Sequence, residues 1–146
     1  MYKRQSIKGI GLLPIRTTFS QNKLTRQISS ESLWPCQSKI NGFEIHNGQT
    51  QLENTQTIVD IKPIFKDLNL GWYKENKEGG TIAGPYIHGI FENDNWRDQY
   101  INLIRKRKKL PALKKKTRSY KFKRESIIEN LANEFNKHLN LSSLLK

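Results

Sequence analysis

The first two thirds of the chain consist of short apolar segments separated by turn-forming residues. Residues 9–19 begin with an apolar run containing Gly and Pro, which predicts a buried turn leading into a short strand. Residues 29–37 are polar and predict a loop. Residues 39–46 predict a strand with a bulge or a close backbone approach at Gly42, and Asn47-Gly48 then signals a turn.

Three further strands follow in the same style. Residues 57–64 alternate apolar and polar positions, which predicts a strand ending at Pro63. Residues 71–73 form a short aromatic segment typical of a strand, and the glycines of residues 78–80 predict a turn. Residues 81–91 are apolar and rich in glycine, so we expect a strand that runs into a loop.

The last third of the chain changes to a helical period. Asn93 or Asp94 can cap a helix whose apolar stripe is formed by Trp96, Tyr100, Leu103 and Ile104, and Leu110-Pro111 ends it. A second helix carries one apolar face, made of Ile127, Ile128, Leu131, Ala132, Phe135 and Leu139. An apolar tail that could dock on the core follows, with Leu141, Leu144 and Leu145. Strands followed by helices predict an α/β layered fold, with few complete βαβ units.

Length and composition add limits to this picture. A chain of 146 residues suggests one domain or a piece of one, and its 35% hydrophobic content supports only a modest core. No apolar run approaches the roughly 20 residues that span a bilayer, and no cleavable leader follows the basic N-terminus. We therefore expect a cytoplasmic protein with no membrane partner.

The net charge of +13 is concentrated near the C-terminus. No acidic residue occurs between Asp98 and Glu125, whereas residues 105–109, 114–116, 118, 121, 123 and 124 are all basic. Such a stretch can bind nucleic acid or another polyanion by releasing counterions, with Tyr120 and Phe122 stacking on bases. No nucleic-acid fold signature is present, so a solvated helix face and loop is the favoured interpretation.

Cysteine and histidine are sparse. Cys36 is the only cysteine, and the three histidines do not have the spacing of a zinc site, so we expect no metal in this chain. Cys36 follows Trp34-Pro35 in a polar loop with no glycine near it. It does not fit a nucleophile turn between a strand and a helix, and we do not expect it to be catalytic.

Two segments concentrate histidine, glycine and aromatic residues, namely residues 42–48 and 84–94. His46 in the first segment and His88 in the second each lie at the end of a predicted strand. Ligands of open α/β sheets bind beyond the carboxyl ends of the strands, and an imidazole there can accept a proton near neutral pH. Taken alone, a histidine in such a position is more often a structural or surface residue than a catalytic one.

The order of several short motifs resembles the amidotransferase domain of cobyric acid synthases. These motifs are Gly-Ile-Gly-Leu-Leu-Pro-Ile at residues 9–15, Phe-Glu-Ile-His-Asn-Gly at residues 43–48, Gly71-Trp72, and Gly-Pro-Tyr-Ile-His-Gly-Ile-Phe-Glu-Asn-Asp at residues 84–94. The resemblance continues through Leu110-Pro111 and covers most of the chain.

The resemblance implies a partial class I glutamine amidotransferase-like domain, which is flavodoxin-like and layered, with a central sheet and C-terminal helices. It implies that His88 is catalytic and works with a cysteine thiolate that attacks the side-chain amide of glutamine. Glu44, His46 and Tyr86 would bind the substrate or position the catalytic group. The ammonia would amidate carboxylates of a corrin ring in cobalamin synthesis, with ATP and Mg bound by a separate synthetase domain and no cofactor in this chain.

The sequence departs from the family at defined positions. Ile90 stands where class I amidotransferases commonly carry a Glu two residues after the histidine, Pro85 replaces a Thr, and Asn47 replaces a Met. The family's nucleophile lies upstream of the motif at residues 9–15. We therefore expect residues 1–146 to be the C-terminal portion of such a domain, without the nucleophile segment and the synthetase domain.

Two interpretations of the chain stay open on this basis. A separate chain could supply the cysteine half, which would make this protein one half of a split enzyme. Alternatively, the chain is a non-catalytic remnant or a binding module that uses the basic stretch at residues 105–124. Both predict that the chain alone does not hydrolyse glutamine.

Overall fold

The computed structural model describes residues 6–53, 60–66, 69–76, 78–113 and 119–138. These residues form five strands, a short 3₁₀ turn and two helices. In chain order they are β1 (Ile15–Ser32), β2 (Ser38–Leu52), β3 (Ile61–Pro63), β4 (Gly71–Glu75), β5 (Thr81–Pro85), the 3₁₀ turn (Ile90–Glu92), α1 (Asp94–Arg107) and α2 (Tyr120–His138). The α/β class with C-terminal helices is confirmed.

The strands form two antiparallel sheets. β1 pairs with β2 in one sheet, and β4 lies between β3 and β5 in the other. Two isolated bridges connect the sheets, one between Ser32 and Phe65 and one between Phe43 and His88. The second bridge places the segment that follows β5 directly against β2.

The β1–β2 hairpin is longer than the sequence pattern predicts. β1 continues to Ser32, so the loop expected over residues 29–37 begins four residues later. The expected turn at Asn47-Gly48 is wrong, because Gly48 lies inside β2 opposite Phe19. A Cβ atom at Gly48 would come within 2.7 Å of the Thr18 carbonyl oxygen. Cross-strand pairing thus outweighs the local turn preference, and the glycine permits close contact with β1.

The N-terminal apolar run does not form the buried turn that we expected. Ile7 and Ile10 are both 91% exposed and Leu12 is 57% exposed, because no described element covers this segment before β1 begins at Ile15. The later strand predictions hold better. β3 ends at Pro63 as predicted, while residues 57–59 of that prediction lie outside the described residues.

The core is centred on Trp96 of α1, which is 1% exposed. Its indole N–H donates to the Ser32 hydroxyl at 3.0 Å and to the Trp34 carbonyl at 2.9 Å, so the buried polar group is satisfied. Tyr100 and Leu103 pack against this core from the predicted stripe of α1, whereas Ile104 is 42% exposed. The buried cluster comprises Ile28, Trp34, Ile40, Ile64, Phe65, Leu70, Ile87, Ile90 and Trp96.

Asn93 stands at the N-cap position of α1, as expected, but its side chain does not cap the helix. Its Oδ1 accepts the Asn41 N–H at 2.8 Å, and its Nδ2 donates to the carbonyl oxygens of Asn41 and Ile90, both at 2.9 Å. The amide therefore ties the start of α1 to β2. This contact between distant segments replaces the local cap that the sequence suggested.

The second helix is confirmed, but its apolar face is not buried. Ile127, Ile128, Leu131 and Phe135 are between 53% and 58% exposed. Leu139 and the apolar tail lie outside the described residues. None of the helices in the described part of the chain has the length and apolar character that crossing a bilayer requires.

Asp94 holds the start of α2. Its Oδ1 accepts the Tyr120 N–H at 2.9 Å, and it forms an ion pair with Arg97 at 2.9 Å. The backbone hydrogen bond from Tyr120 is the main cause that lowers the pKa of Asp94 below its ordinary value of 3.8. A second link joins Arg124 of α2 to Glu92 at 3.1 Å.

Two aromatic side chains should differ sharply in their contribution to stability. Trp96→Ala should lower the free energy of unfolding by about 3–5 kcal/mol, because it leaves a large cavity and removes the donor to Ser32. Phe135→Ala, the matched exposed variant, should change it by less than about 0.5 kcal/mol. Urea unfolding measures both values. An equal loss in the two variants would contradict the exposed position of α2.

The hydrogen bond from the Tyr120 N–H to Asp94, which holds the start of α2, should be sensitive to acid. The pKa of Asp94 is lower in the folded chain than its ordinary value of 3.8. The stabilisation that its carboxylate gives to the hydrogen bond with Tyr120 is therefore complete above pH 3.8, and it is lost as the pH falls through the lowered pKa of the folded chain. The Tyr120 amide resonance should therefore shift in that acidic range. In Asp94→Asn, which keeps an acceptor oxygen but has no charge, the shift should be absent. A shift that persists in this variant would assign the effect to another carboxylate.

Candidate functional site

One face of β2 carries an unusual buried carboxylate. Ile40, Gly42, Glu44 and Gly48 are buried, whereas the alternate residues Asn41, Phe43 and Asn47 are exposed. Glu44 is 3% exposed. His46, two residues further along the same face, is half-buried. The period of a strand thus places an acid and an imidazole side by side on the inner face.

Each oxygen of the Glu44 carboxylate has a partner. Oε2 accepts from the Arg26 guanidinium at 2.5 Å, and Oε1 lies 2.6 Å from Nε2 of His46. Arg26 is directly opposite Glu44 in the β1–β2 register. A carboxylate this deeply buried is stable only when its oxygens are paired, and here both are.

The bonding pattern around His46 assigns its tautomer. Nδ1 accepts the Gly48 N–H at 3.4 Å, so this nitrogen carries a lone pair and Nε2 carries the hydrogen that is donated to Glu44. The imidazole ring also meets the Tyr86 ring edge to face, with centroids 5.5 Å apart and planes at 66°. His46 therefore contacts both β2 and the segment that follows β5.

Tyr86 links that segment to the hairpin. Its hydroxyl lies 3.4 Å from the Thr17 hydroxyl of β1, which is itself 2.8 Å from the Thr50 hydroxyl of β2. Its backbone N–H donates to the Leu70 carbonyl at 2.6 Å. The tyrosine is thus fixed at both its ring and its backbone.

His88 lies two residues after Tyr86 and is exposed. Its backbone exchanges two hydrogen bonds with Phe43, at 2.8 and 3.0 Å, and Phe43 is itself 50% exposed. Within the described ranges, the His88 side chain makes no hydrogen bond or ion pair. The structure therefore fixes the backbone of His88 and leaves its imidazole open to solvent.

Gly42 makes this backbone contact possible. A Cβ atom at Gly42 would lie 2.4 Å from the His88 carbonyl oxygen and 2.4 Å from Cγ2 of Ile87. Neither atom can move freely, since one belongs to the backbone and Ile87 is buried in the core. The close backbone approach predicted at Gly42 is confirmed, and its partner is the segment that carries His88.

An apolar cavity of about 490 Å³ lies beside the segment that contains His88, but His88 is not among its lining residues. It is lined by Pro85, Ile87, residues 89–92 and Tyr120 at the start of α2. The links between Asp94 and Tyr120 and between Glu92 and Arg124 hold α2 at its border.

Cys36 occupies the turn between β1 and β2. Its sulfur lies 3.7 Å from the Ser38 hydroxyl and 3.9 Å from Nδ2 of Asn95. Neither partner is a base that could activate a thiol. In the part of the chain that the structure describes, no group of three or more His, Cys, Asp or Glu side chains could hold a metal ion.

The structure brings three of the four candidate residues into direct contact. Glu44, His46 and Tyr86 form one connected cluster, and His88 lies beside it through the backbone. The expectation that His46 ends a strand is wrong, since β2 continues to Leu52 through pairing with β1. Sequence reasoning missed Arg26, because only the strand register places it opposite Glu44.

The sequence of the chain is similar to that of a known domain family. The sequence model of the CobB/CobQ-like glutamine amidotransferase domain matches residues 2–96. The chain therefore belongs to the CobB/CobQ-like glutamine amidotransferase domain family. This assignment agrees with the α/β class and with the class I glutamine amidotransferase-like fold expected from the sequence.

Individual relatives carry a more specific name. The chain is 84% identical over 144 residues to the cobyric acid synthase of Prochlorococcus marinus strain MIT 9312, covering 99% of this chain and 28% of that protein. It is 76% identical to the cobyric acid synthase of strain AS9601, over 97% of this chain and 28% of that protein. The cobyric acid synthase of Synechococcus sp. strain CC9311 is 42% identical, over 94% of this chain and 27% of that protein.

The chain thus spans about 28% of the length of the relatives named cobyric acid synthase. It corresponds to the C-terminal part of such a protein, as the sequence motifs indicated. No solved structure matches it significantly.

Gly42→Ala should displace the segment that carries His88. The added methyl group collides with the His88 backbone, so we expect loss of the two Phe43–His88 hydrogen bonds and a free energy of unfolding lower by about 1–3 kcal/mol. Gly9→Ala is the matched control, because nothing lies within 4 Å of a Cβ atom there. Urea unfolding compares the two. Equal stability of both variants would show that β2 and the His88 segment are further apart than described.

Proposed function

We propose that this chain is the C-terminal part of the glutamine amidotransferase domain of a cobyric acid synthase and that His88 is the histidine of its glutaminase site. One observation carries the proposal. His88 presents an open imidazole from a backbone that is fixed to β2, within the Gly-Pro-Tyr-Ile-His-Gly segment. A general base needs this combination of fixed position and accessible nitrogen.

In this reaction, His88 acts first as a base and then as an acid. The imidazole takes the proton of a cysteine thiol, and the thiolate sulfur forms a bond to the side-chain amide carbon of glutamine. The carbon–nitrogen bond then breaks, and the imidazole delivers its proton to the ammonia that leaves. Water, deprotonated by the same imidazole, attacks the thioester to release glutamate and restore the thiol. We do not assign this thiol to Cys36, since neither of its partners, Ser38 and Asn95, is a base.

The whole synthase would use the ammonia elsewhere. The names of the relatives support a role in cobalamin synthesis, in which ammonia amidates corrin carboxylates that ATP has activated. ATP and Mg would be held by the synthetase part of such an enzyme. The described residues of this chain offer no cluster of metal ligands, so no step is assigned to a metal here.

The basic stretch considered for polyanion binding is partly engaged within the domain, whereas its Lys106, Lys108 and Lys109 are exposed. Arg107 binds Thr81 and Glu75 within the domain, and Arg105 donates to the Pro111 carbonyl at 2.6 Å. Residues 114–118 of the basic stretch lie outside the described residues. We keep glutamine hydrolysis as the proposed function because the glutamine amidotransferase family model matches residues 2–96.

The test uses a chimera in which this chain replaces the matching segment of the Prochlorococcus marinus MIT 9312 synthase. Amidation is measured with glutamine and, separately, with free ammonia as the nitrogen source. His88→Ala should abolish the glutamine-dependent reaction by at least about a thousandfold and leave the ammonia-dependent reaction intact, because ammonia bypasses the glutaminase step.

His138→Ala is the matched control, since His138 lies exposed at the end of α2. It should not alter either reaction. Glutamine-dependent amidation that survives His88→Ala would refute the proposed role of His88. The chain alone should release no ammonia from glutamine, and a release that disappears in Cys36→Ala would instead identify Cys36 as the nucleophile.

A further inference from the structure

We infer that His46 is a positioning residue and not a second base, and that the Arg26–Glu44–His46 cluster acts through Tyr86 to hold the segment carrying His88. The inference rests on the proposed function, because it assigns different roles to the two histidines of one glutaminase site. Its evidence is independent of the family resemblance. It comes from the hydrogen bonds of His46 and from the contacts of Tyr86.

Both nitrogens of His46 are already engaged. Nε2–H donates to Oε1 of Glu44 at 2.6 Å, and Nδ1 accepts the Gly48 N–H at 3.4 Å. To take a proton from a substrate or a thiol, His46 would have to use Nδ1, which faces a backbone N–H donor. His88 differs in this respect, since its exposed ring has no hydrogen bond to the described residues.

Both oxygens of Glu44 are likewise occupied by hydrogen-bond partners. Its side chain is 4% exposed, and its two oxygens receive Arg26 and His46. The guanidinium, which is 52% exposed, supplies the positive charge that a buried carboxylate needs. The function of this pair is therefore to fix the orientation of the imidazole on the inner face of β2.

The fixed imidazole of His46 restrains the position of His88 through Tyr86. The Tyr86 ring packs on His46, and its hydroxyl lies near Thr17. Two residues later, the His88 backbone is bonded to Phe43 of the same strand. The segment from Tyr86 to His88 is thus held against β2 at both ends. Loss of the whole His46 side chain, which removes both the donor to Glu44 and the packing on Tyr86, would free one end and let the His88 imidazole move away from its productive position.

A pair of substitutions separates positioning from proton transfer. Gln at position 46 keeps an N–H donor near the place of Nε2 and cannot act as a base, whereas Ala removes the donor and the ring contact. In the chimeric synthase, His46→Gln should keep kcat for the glutamine-dependent reaction within about threefold of the unchanged chimera. His46→Ala should lose about 10- to 100-fold, mainly in kcat. Ammonia-dependent amidation should stay unchanged in both.

The same substitutions at the other histidine give the opposite pattern. His88→Gln should be as inactive with glutamine as His88→Ala, because no side chain but the imidazole can carry the proton. If His46→Gln is as inactive as His46→Ala, the positioning role is overturned even though the result at His88 stands. If His88→Ala is active, the proposed function fails and the His46 result is judged by spectroscopy alone.

The spectroscopic readout needs no activity. Nitrogen-15 chemical shifts of His46 in the full 146-residue chain should report a protonated Nε2 and an unprotonated Nδ1 at neutral pH. In Glu44→Gln the hydrogen bond loses its charge, and the Nε2 shift should move toward that of a weakly bonded imidazole. A proton on Nδ1 in the unchanged chain would overturn the inference.

Discussion

The buried carboxylate of Glu44 is the constraint on which the site depends. A charge that is 3% exposed would be costly if either oxygen lacked a partner, so the fold must keep Arg26 and His46 in place around it. Arg26 stands directly opposite Glu44 in the register of β1 against β2. The fixed ring of His46 packs in turn against Tyr86, in the segment that follows β5. The cluster therefore joins β1 and β2 to the segment that follows β5.

In the function that we propose, the two histidines have different roles. His46 is enclosed by bonds on both nitrogens, whereas His88 has a fixed backbone and an open ring. Gly42 completes the arrangement, because only the absence of a side chain lets β2 approach the His88 carbonyl. Rigid support beneath an accessible imidazole is the arrangement that a proton-transfer catalyst requires.

Local patterns predicted the features that depend on local chemistry. The stripe of α1, the strand at Gly71 and the close approach at Gly42 all follow from residue spacing. The predictions failed where distant pairing decides the outcome. Gly48 extends a strand because β1 lies beside it, and Arg26 joins the site because of the strand register. The motif order alone identified Glu44, His46 and Tyr86 as candidate residues. It could not predict that these side chains contact one another, because the contacts depend on how distant segments pack.

Amide hydrogen exchange at His88 tests the central claim most directly, since its N–H donates to the Phe43 carbonyl at 2.8 Å. The account predicts that this amide exchanges well below its intrinsic rate in the unchanged chain and that protection is lost in Glu44→Ala. Glu31→Ala, which removes only a longer ion pair of 3.5 Å with Lys66, should leave it protected. A His88 amide that exchanges at its intrinsic rate, or that is equally protected in Glu44→Ala, would contradict the account.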